Sequence, residues 1–387
     1  MKAMREIAVI GVGQTRVDEH WDKSLRELAG EAALAALNDA RRESVDAIYV
    51  GNMLSGSANH QQHLGTWLAD WIGLRYSEAL RLESACSSGG SAFRAGLMAV
   101  ASGELESALV VGAEKMTDSP NAEITATLAT AADADWELEQ GLSFVAINAL
   151  VMQRYLHEYG WKHNDFANFS INAHANAMKN PNARFQEALS ESGYQKSPMV
   201  SDPINLMDAS PMGDGAAAAV LVPADTLASS HSPLITVVGS ASATDSIAVH
   251  SRRDPLWLRA AESSAAEAYR QAGVKPEEID FFELHDAFTI MAALSLEACG
   301  FAERGQGPRL DLEGDIRPDG RIPIATCGGL KARGHPVGAT GMYQIVESVL
   351  QLRGQASGVQ IDGARIGMAQ NIGGSGSNIV THILKRA

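Results

Sequence analysis

Three side chains in this sequence stand where acyl-transfer chemistry would need them. Cys86 follows Glu83–Ser84–Ala85 and leads into Ser87–Ser88–Gly89–Gly90–Ser91, ahead of a helical pattern through Phe93, Leu97 and Val100. A cysteine at a helix N-terminus feels the positive end of the macrodipole, which predicts a lowered pKa and more thiolate. Small neighbours let a substrate carbonyl approach backbone N–H groups, as an oxyanion hole requires. The alternative is a buried apolar cysteine. His335 lies in Gly329–Leu330–Lys331–Ala332–Arg333–Gly334–His335–Pro336–Val337–Gly338–Ala339–Thr340–Gly341. Between Gly and Pro its imidazole suits a general base that takes a thiol proton, or else it caps a turn. His285 opens His285–Asp286–Ala287–Phe288 just after an apolar run. Residues past a strand's carboxyl end line the ligand crevice of an open α/β sheet. Asp286 either fixes a nearby side chain or caps a helix. Asn371–Ile372–Gly373–Gly374–Ser375–Gly376 also follows a strand pattern, where glycines permit close approach and free N–H donors, or a tight turn.

Other signals are weaker. Gly11–Val12–Gly13 follows a strand, but Arg16 stands where a dinucleotide fingerprint needs its third glycine. His157, His163 and His174 show no HExxH pattern and no metal-ligand spacing, so no metal site is expected. GxSxG and P-loop motifs are absent.

The elements that must position these residues alternate short β-branched runs with Ala-rich helical patterns, the sign of an α/β protein. Strand Ile7–Ile10, a helix through Leu25 and Leu37, and strand Asp46–Val50 open the chain. Strand Leu234–Val238, a helix around Ala260–Ala272, and strand Ile279–Leu284 repeat that order later. Each series then offers a helix entered through small residues and a further strand, Ala108–Gly112 or Ala364–Ala369. The parallel order predicts an internal duplication. The first half is expected over 1–118 with 212–231, and the second over 232–387. Residues 119–211, richer in Asn, His, Met and aromatics, form an inserted loop or lid with helices around Phe144–His157 and Phe166–Met178, where substrate-binding surface is usually placed.

Composition narrows the class. The 387 residues include 46 acidic and 31 basic side chains, a formal charge of −15, which argues against a nucleic-acid partner. Three cysteines, Cys86, Cys299 and Cys327, without any CxxC spacing, exclude a disulfide scaffold and a cysteine-type structural zinc site. No run of about 18 apolar residues offers a membrane span, so the expectation is a cytoplasmic enzyme.

Taken with His174–Ala175–Asn176–Ala177, Asn180–Pro181 and Asp214–Gly215–Ala216–Ala217, these motifs make the chain resemble thiolases. It is most similar to the branch of sterol-carrier-protein-type and archaeal acetoacetyl-CoA thiolases, over nearly the whole length. The resemblance implies the thiolase fold: two duplicated α/β halves in five α-β-α-β-α layers with an inserted loop domain. It implies Cys86 as the acyl-accepting nucleophile and His335 as the base that activates it and helps form an oxyanion hole. His285 holds a catalytic water or binds the thioester oxygen, and the N–H of Gly373, with that of Cys86, faces the tetrahedral intermediate. It further implies acyl-CoA thioesters as substrates with no cofactor, at least a homodimer or homotetramer, and relatives that partner a small OB-fold/zinc-ribbon protein and hydroxymethylglutaryl-CoA synthase.

One departure stands out. Most thiolases have a second, acid/base cysteine where Asn371 stands, and the sterol-carrier-protein type has one where Ala287 stands. Cys327 is a conceivable substitute, or a packing cysteine. Lys179, Arg184, Lys331, Arg333 and His174 are candidates for binding CoA. Three readings result: a thiolase condensing two acetyl-CoA or cleaving a 3-ketoacyl-CoA, a thiolase-fold acyltransferase or retro-aldolase subunit needing a small partner, and a non-catalytic acyl-CoA or lipid carrier.

Overall fold

Side chains along the first strand alternate between two different cores, and that alternation defines the layers. The computed structural model describes residues 5–227 and 233–387, so the expected junction at 231/232 and residues 1–4 lie outside the described residues. In strand β1 (Ile7–Gln14), Ile7 and Val9 face one apolar cluster while Ala8 and Ile10 face another. Period-two alternation in a strand covered on both faces requires this.

The remaining strands are β2 (Ala47–Gly51), β3 (Glu78–Leu82), β4 (Ala108–Glu114), the ribbon β5 (Met199–Ser201) and β6 (Ile204–Asn205), β7 (Gly215–Pro223), β8 (Ile235–Thr244), β9 (Phe281–Glu283), β10 (Ile366–Gly373) and β11 (Asn378–Arg386). Apart from the ribbon they order as β3-β2-β4-β7-β1-β8-β11-β10-β9. In the first half β3, β2 and β4 are parallel, and β7 and β1 follow antiparallel. The second half repeats the scheme: β9 and β10 are parallel, β11 and β8 antiparallel, and a bridge at Ile324 beside Phe282 takes the place of β3. The two sheets are not separate. Ile7 pairs with Val237 and Ala8 with Thr236, joining them along β1 and β8 into one nine-stranded sheet.

Between the sheet's two wings lie the helices Ser88–Ala101 and Thr340–Arg353, sharing one core through Phe93, Leu97, Met342, Ile345 and Val349. The outer layers are the helix Leu25–Ala40 on the first half, and Arg259–Ala272 with Thr289–Ala298 on the second. Gly11 and Gly13 serve this packing and no nucleotide: a Cβ at either would lie 2.2 or 2.4 Å from a carbonyl of the helix Leu25–Ala40. Gly239 meets Ala268 in the same way in the second half.

The two central helices share a property that matters for chemistry. Each begins just beyond a loop that carries a candidate reacting side chain, Cys86 for the first and His335 for the second. The 119–211 segment contributes the helices Phe144–Tyr159 and Ala167–Ala177, and at its far edge Pro211 accepts the peptide N–H of His335 at 3.0 Å.

Candidate active site

Cys86 is held by a turn tied at several points. Ala85 adopts a left-handed φ of 52°, a conformation that costs a non-glycine residue energy and persists only where its surroundings enforce it. The enforcing bonds are here: Ser84 N–H to Ser88 Oγ at 2.9 Å, Ser87 N–H to the Ser84 carbonyl at 3.1 Å, and Ser87 Oγ to Asn378 Oδ1 at 2.9 Å. Cys86 therefore projects just ahead of the helix Ser88–Ala101 and is buried. Burial and the nearby Glu114 carboxyl push its thiol up to about 12, against smaller opposing hydrogen bonds from its own backbone and that of Gly374. This corrects the expectation of a dipole-lowered pKa: loss of water around the sulfur outweighs the helix end. At rest Cys86 is a thiol, so a nucleophilic role would need a base to take its proton.

His335 is the expected candidate. It is buried, and burial, His285 and Arg333 hold its imidazole well below the ordinary range, so it is neutral. Its Nδ1 lies 2.7 Å from Thr340 Oγ1. That hydroxyl in turn points at the Pro336 carbonyl at 3.4 Å, so Nδ1–H donates to Thr340 and Nε2 keeps its lone pair. His285, at the end of β9, crosses the His335 ring edge-on, centroids 5.1 Å apart at 85°. Asn371 Oδ1 accepts the N–H of Gly90 at 3.2 Å, which turns its Nδ2 toward His285 Nδ1 at 3.1 Å. His285 Nδ1 must then accept, leaving the hydrogen on Nε2. Burial, with Arg333, lowers this imidazole to about 3. The site thus pairs an imidazole that accepts a proton with one that donates a hydrogen bond.

Glu114, at the end of β4, ties the centre to both halves. Its carboxyl accepts N–H groups of Met53 at 2.9 Å, Leu54 at 3.1 Å and Gly338 at 3.0 Å, and Asn52 Nδ2 at 2.7 Å. The Gly338 bond reaches across from the loop of His335 to the sheet of Cys86. Burial raises Glu114 to about 7.

With the geometry in place, the comparisons decide the family. The model of the thiolase N-terminal domain matches residues 5–225, and that of the thiolase C-terminal domain-like family matches 241–386. The chain belongs to the thiolase family. It is 44% identical to an acetyl-CoA acetyltransferase of Methanothermobacter thermautotrophicus over 99% of this chain and 100% of that protein. A protein of the same name from Methanocaldococcus jannaschii is 36% identical over 98% and 99% of the two chains. In fold the chain is similar to an Ltp2-ChsH2(DUF35) aldolase, with a TM-score of 0.84 at 24% identity over 98% of each chain.

Within this thiolase, His335, His285 and Asn371 come together, Cys86 shares an apolar cluster with Val337 two residues beyond His335, and the other expected site residues scatter. Gly373 stands beside the cysteine turn, where a Cβ would lie 2.4 Å from the Ser84 carbonyl, but the backbone hydrogen bond that reaches the thiol comes from its neighbour Gly374. Cys327 is fully buried in a different cluster with Thr326, Glu283 and Glu347, and burial raises its thiol well above the ordinary range, so it does not replace the missing acid/base. Lys331 and Arg333 do not face solvent. The Lys331 ammonium donates to the Asp208 carbonyl, and Arg333 pairs with Glu347, both side chains at 0% exposure, which corrects their assignment to CoA phosphates. Arg184 is engaged by Glu19 and by the Met212 carbonyl at 2.7 Å. His174 stacks on Phe185 and contacts the Glu187 carbonyl, while Lys179 is exposed. Asp286 fixes no histidine. It accepts the Leu330 N–H at 2.7 Å and closes the Gly329–Arg333 turn.

Sequence reasoning misses the parts played by Thr340 and Glu114, whereas Gly374 falls in the glycine run expected to offer N–H donors. Thr340 lies in the quoted His335 motif, yet only the turn Val337–Ala339 brings its hydroxyl back onto the ring. Among the described residues no group of three or more His, Cys, Asp or Glu side chains is placed to hold a metal.

Proposed function

We propose that this thiolase is an acetyl-CoA C-acetyltransferase, condensing two acetyl-CoA to acetoacetyl-CoA and CoA or running the reverse thiolysis. The complementary tautomers of His335 and His285 carry the reading. Neutral His335 Nε2 takes the Cys86 thiol proton as sulfur attacks the thioester carbonyl, and the imidazolium returns it to the departing CoA sulfur. His285 Nε2–H faces a developing oxyanion as a fixed donor. In the second half-reaction, neutral again, His335 takes the α-proton of the second acetyl-CoA. The enolate attacks acetyl-Cys86, the C–S bond breaks, and the proton passes to the released Cys86 sulfur. Asn371 replaces an acid/base thiol, so one imidazole serves both transfers. Nothing in these steps asks for a cofactor beyond the CoA of the substrates. Incubation with acetyl-CoA should leave one acetyl group on Cys86 in intact-protein mass spectrometry, and Cys86→Ala should abolish thiolysis of acetoacetyl-CoA. A Cys86→Ala protein that still bound and transferred acyl-CoA would support the carrier reading instead.

A second copy of the chain is the partner the surface best accommodates. Strand β3 ends the sheet with one edge unpaired, and Leu80 on it is 51% exposed beside the fully exposed Tyr76. An unpaired strand edge with an exposed apolar side chain can pair with another chain, even over five residues. A small OB-fold/zinc-ribbon partner is a second reading, favoured by Asn371 in place of a thiol and by the DUF35 protein in the aldolase of similar fold. Thiolysis only in the presence of such a protein would select it. A cytoplasmic setting suits three free cysteines.

A further inference from the structure

Two residues before His335 lies a buried Arg–Glu contact whose presence stability does not explain. Arg333 Nε is 2.9 Å from Glu347 Oε1 and neither side chain has any exposed surface, yet neither carboxyl oxygen accepts an aligned hydrogen bond, and burial raises Glu347 to about 8. Near neutral pH the carboxyl is therefore mostly protonated and leaves the guanidinium charge largely uncompensated, so an apolar pair would hold this core at least as well. The geometry instead ties the pair to His335. Arg333 Nη1 donates to the Gly334 carbonyl at 3.2 Å, the peptide unit that leads into His335. Its guanidinium lies 4.7 Å over the ring of Tyr343, whose hydroxyl is anchored on the Thr15 carbonyl at 3.0 Å.

The other charged groups around the histidines are accounted for. Glu283 and Asp286 flank His285 at the end of β9, but Glu283 accepts from Thr326 N–H at 2.9 Å and Asp286 from Leu330 N–H. Lys331 is directed to the Asp208 carbonyl, and Glu114 is filled by four donors on the side of Cys86. Among the described residues no carboxylate hydrogen-bonds to either imidazole; their side-chain hydrogen-bond partners are Thr340 and Asn371.

We propose that Arg333, seated over Tyr343, is a positioning residue for proton transfer: its hold on the Gly334 carbonyl aims His335, and its buried positive charge adds to burial in favouring an unprotonated resting base. This rests on the reading of His335 as the base for Cys86. The electrostatics agree, since Arg333 is among the groups that pull both imidazoles down. The benefit is kinetic. The resting base is ready to accept a proton, and once protonated beside a cation it becomes a strong acid toward the leaving CoA sulfur.

The test compares three full-length proteins: wild type, Arg333→Lys, and the double variant Arg333→Gln with Glu347→Gln. The double variant removes the pair without stranding one buried charge, so it should fold. The readouts are the pH dependence of Cys86 alkylation by iodoacetamide and of acetoacetyl-CoA thiolysis. Loss of the cation should move the acid limb of both profiles upward by about one pH unit. Arg333→Lys, which keeps the charge, should leave the limb in place even if its rate falls. A double variant with lower rates but a limb at the wild-type position would overturn the proposal, because a merely structural pair moves only the amplitude. Wild-type alkylation rates in His335→Asn would instead overturn the reading of His335 as the base, and so separate the two failures.

Discussion

Asn371 donates to His285 from Nδ2 to Nδ1 at 3.1 Å, and the direction of that bond assigns the role of His285. The direction is not free, because the N–H of Gly90 claims Asn371 Oδ1 on the other side. Gly341 lets the loop approach this bond closely: a Cβ there would lie 2.2 Å from that oxygen and 2.3 Å from the Gly90 nitrogen.

Asn371→Asp offers a direct check. A carboxylate can only accept, so His285 would turn its hydrogen to Nδ1 and lose the Nε2–H donor. Removing one such donor typically lowers kcat by about 10²–10³. Thiolysis should fall by that order while the thermal midpoint stays close to wild type. An Asn371→Asp enzyme with wild-type kcat would refute the tautomer assignment.

Cys86 should behave as a protected thiol. With its pKa pushed to about 12 by burial and Glu114, alkylation by iodoacetamide should keep accelerating as pH rises past neutrality. A plateau near neutral pH would mean a stable thiolate, contrary to this site. His335→Asn should slow the reaction at neutral pH by about 10²-fold, the scale of one general base.

Acid should weaken the fold through its buried histidines. His285 and His382 are lowered by burial from 6.5 to about 3, and His335 is lowered as well. Below pH 6.5 the unfolded chain takes up protons that the folded chain refuses, so stability is full above that pH and falls as the pH drops toward 3. Each group contributes roughly 1 kcal/mol per pH unit in that window. Glu114 and Glu347, raised from 4.5 to about 7 and about 8, and Glu283, Asp286, Glu297 and Asp311, also raised by burial, work oppositely, so the histidine contribution is read as a difference between variants. His382 touches Phe93 and the Gly90 carbonyl. His382→Phe should flatten the slope of denaturation midpoint against pH below 6.5, and an unchanged slope would remove His382 from the account.

Leu80→Arg should disrupt pairing of two copies along β3. Size-exclusion chromatography with light scattering should show a smaller species than wild type. An unchanged mass would place any self-association elsewhere.

Much of this architecture can be read along the chain, because helices and strands packed on a single core keep their period. Leu25–Ala40 and Arg259–Ala272 lie within a residue or a turn of their amphipathic patterns. Strand β7 hides from such reading. Gly215–Pro223 is alanine-rich, which favours helix in isolation, but it is buried on both faces between helical layers where small side chains let the helices approach. Cys86, His335 and His285 were legible from their small or turn-forming neighbours. Burial was not, and burial decides the rest: it raises the Cys86 thiol and takes Lys331 and Arg333, basic residues in a glycine-rich motif, out of reach of any phosphate.

The duplication also fixes where catalysis can reside. Cys86 arrives on the first repeat; His285, His335 and Asn371 arrive on the second, so the proposed reacting centre belongs to the seam and to neither copy. One repeat alone could assemble it only by meeting a twin at the right angle. Joined through β1 and β8, the repeats hold the thiol and its base in permanent register, and an encounter is replaced by a standing geometry.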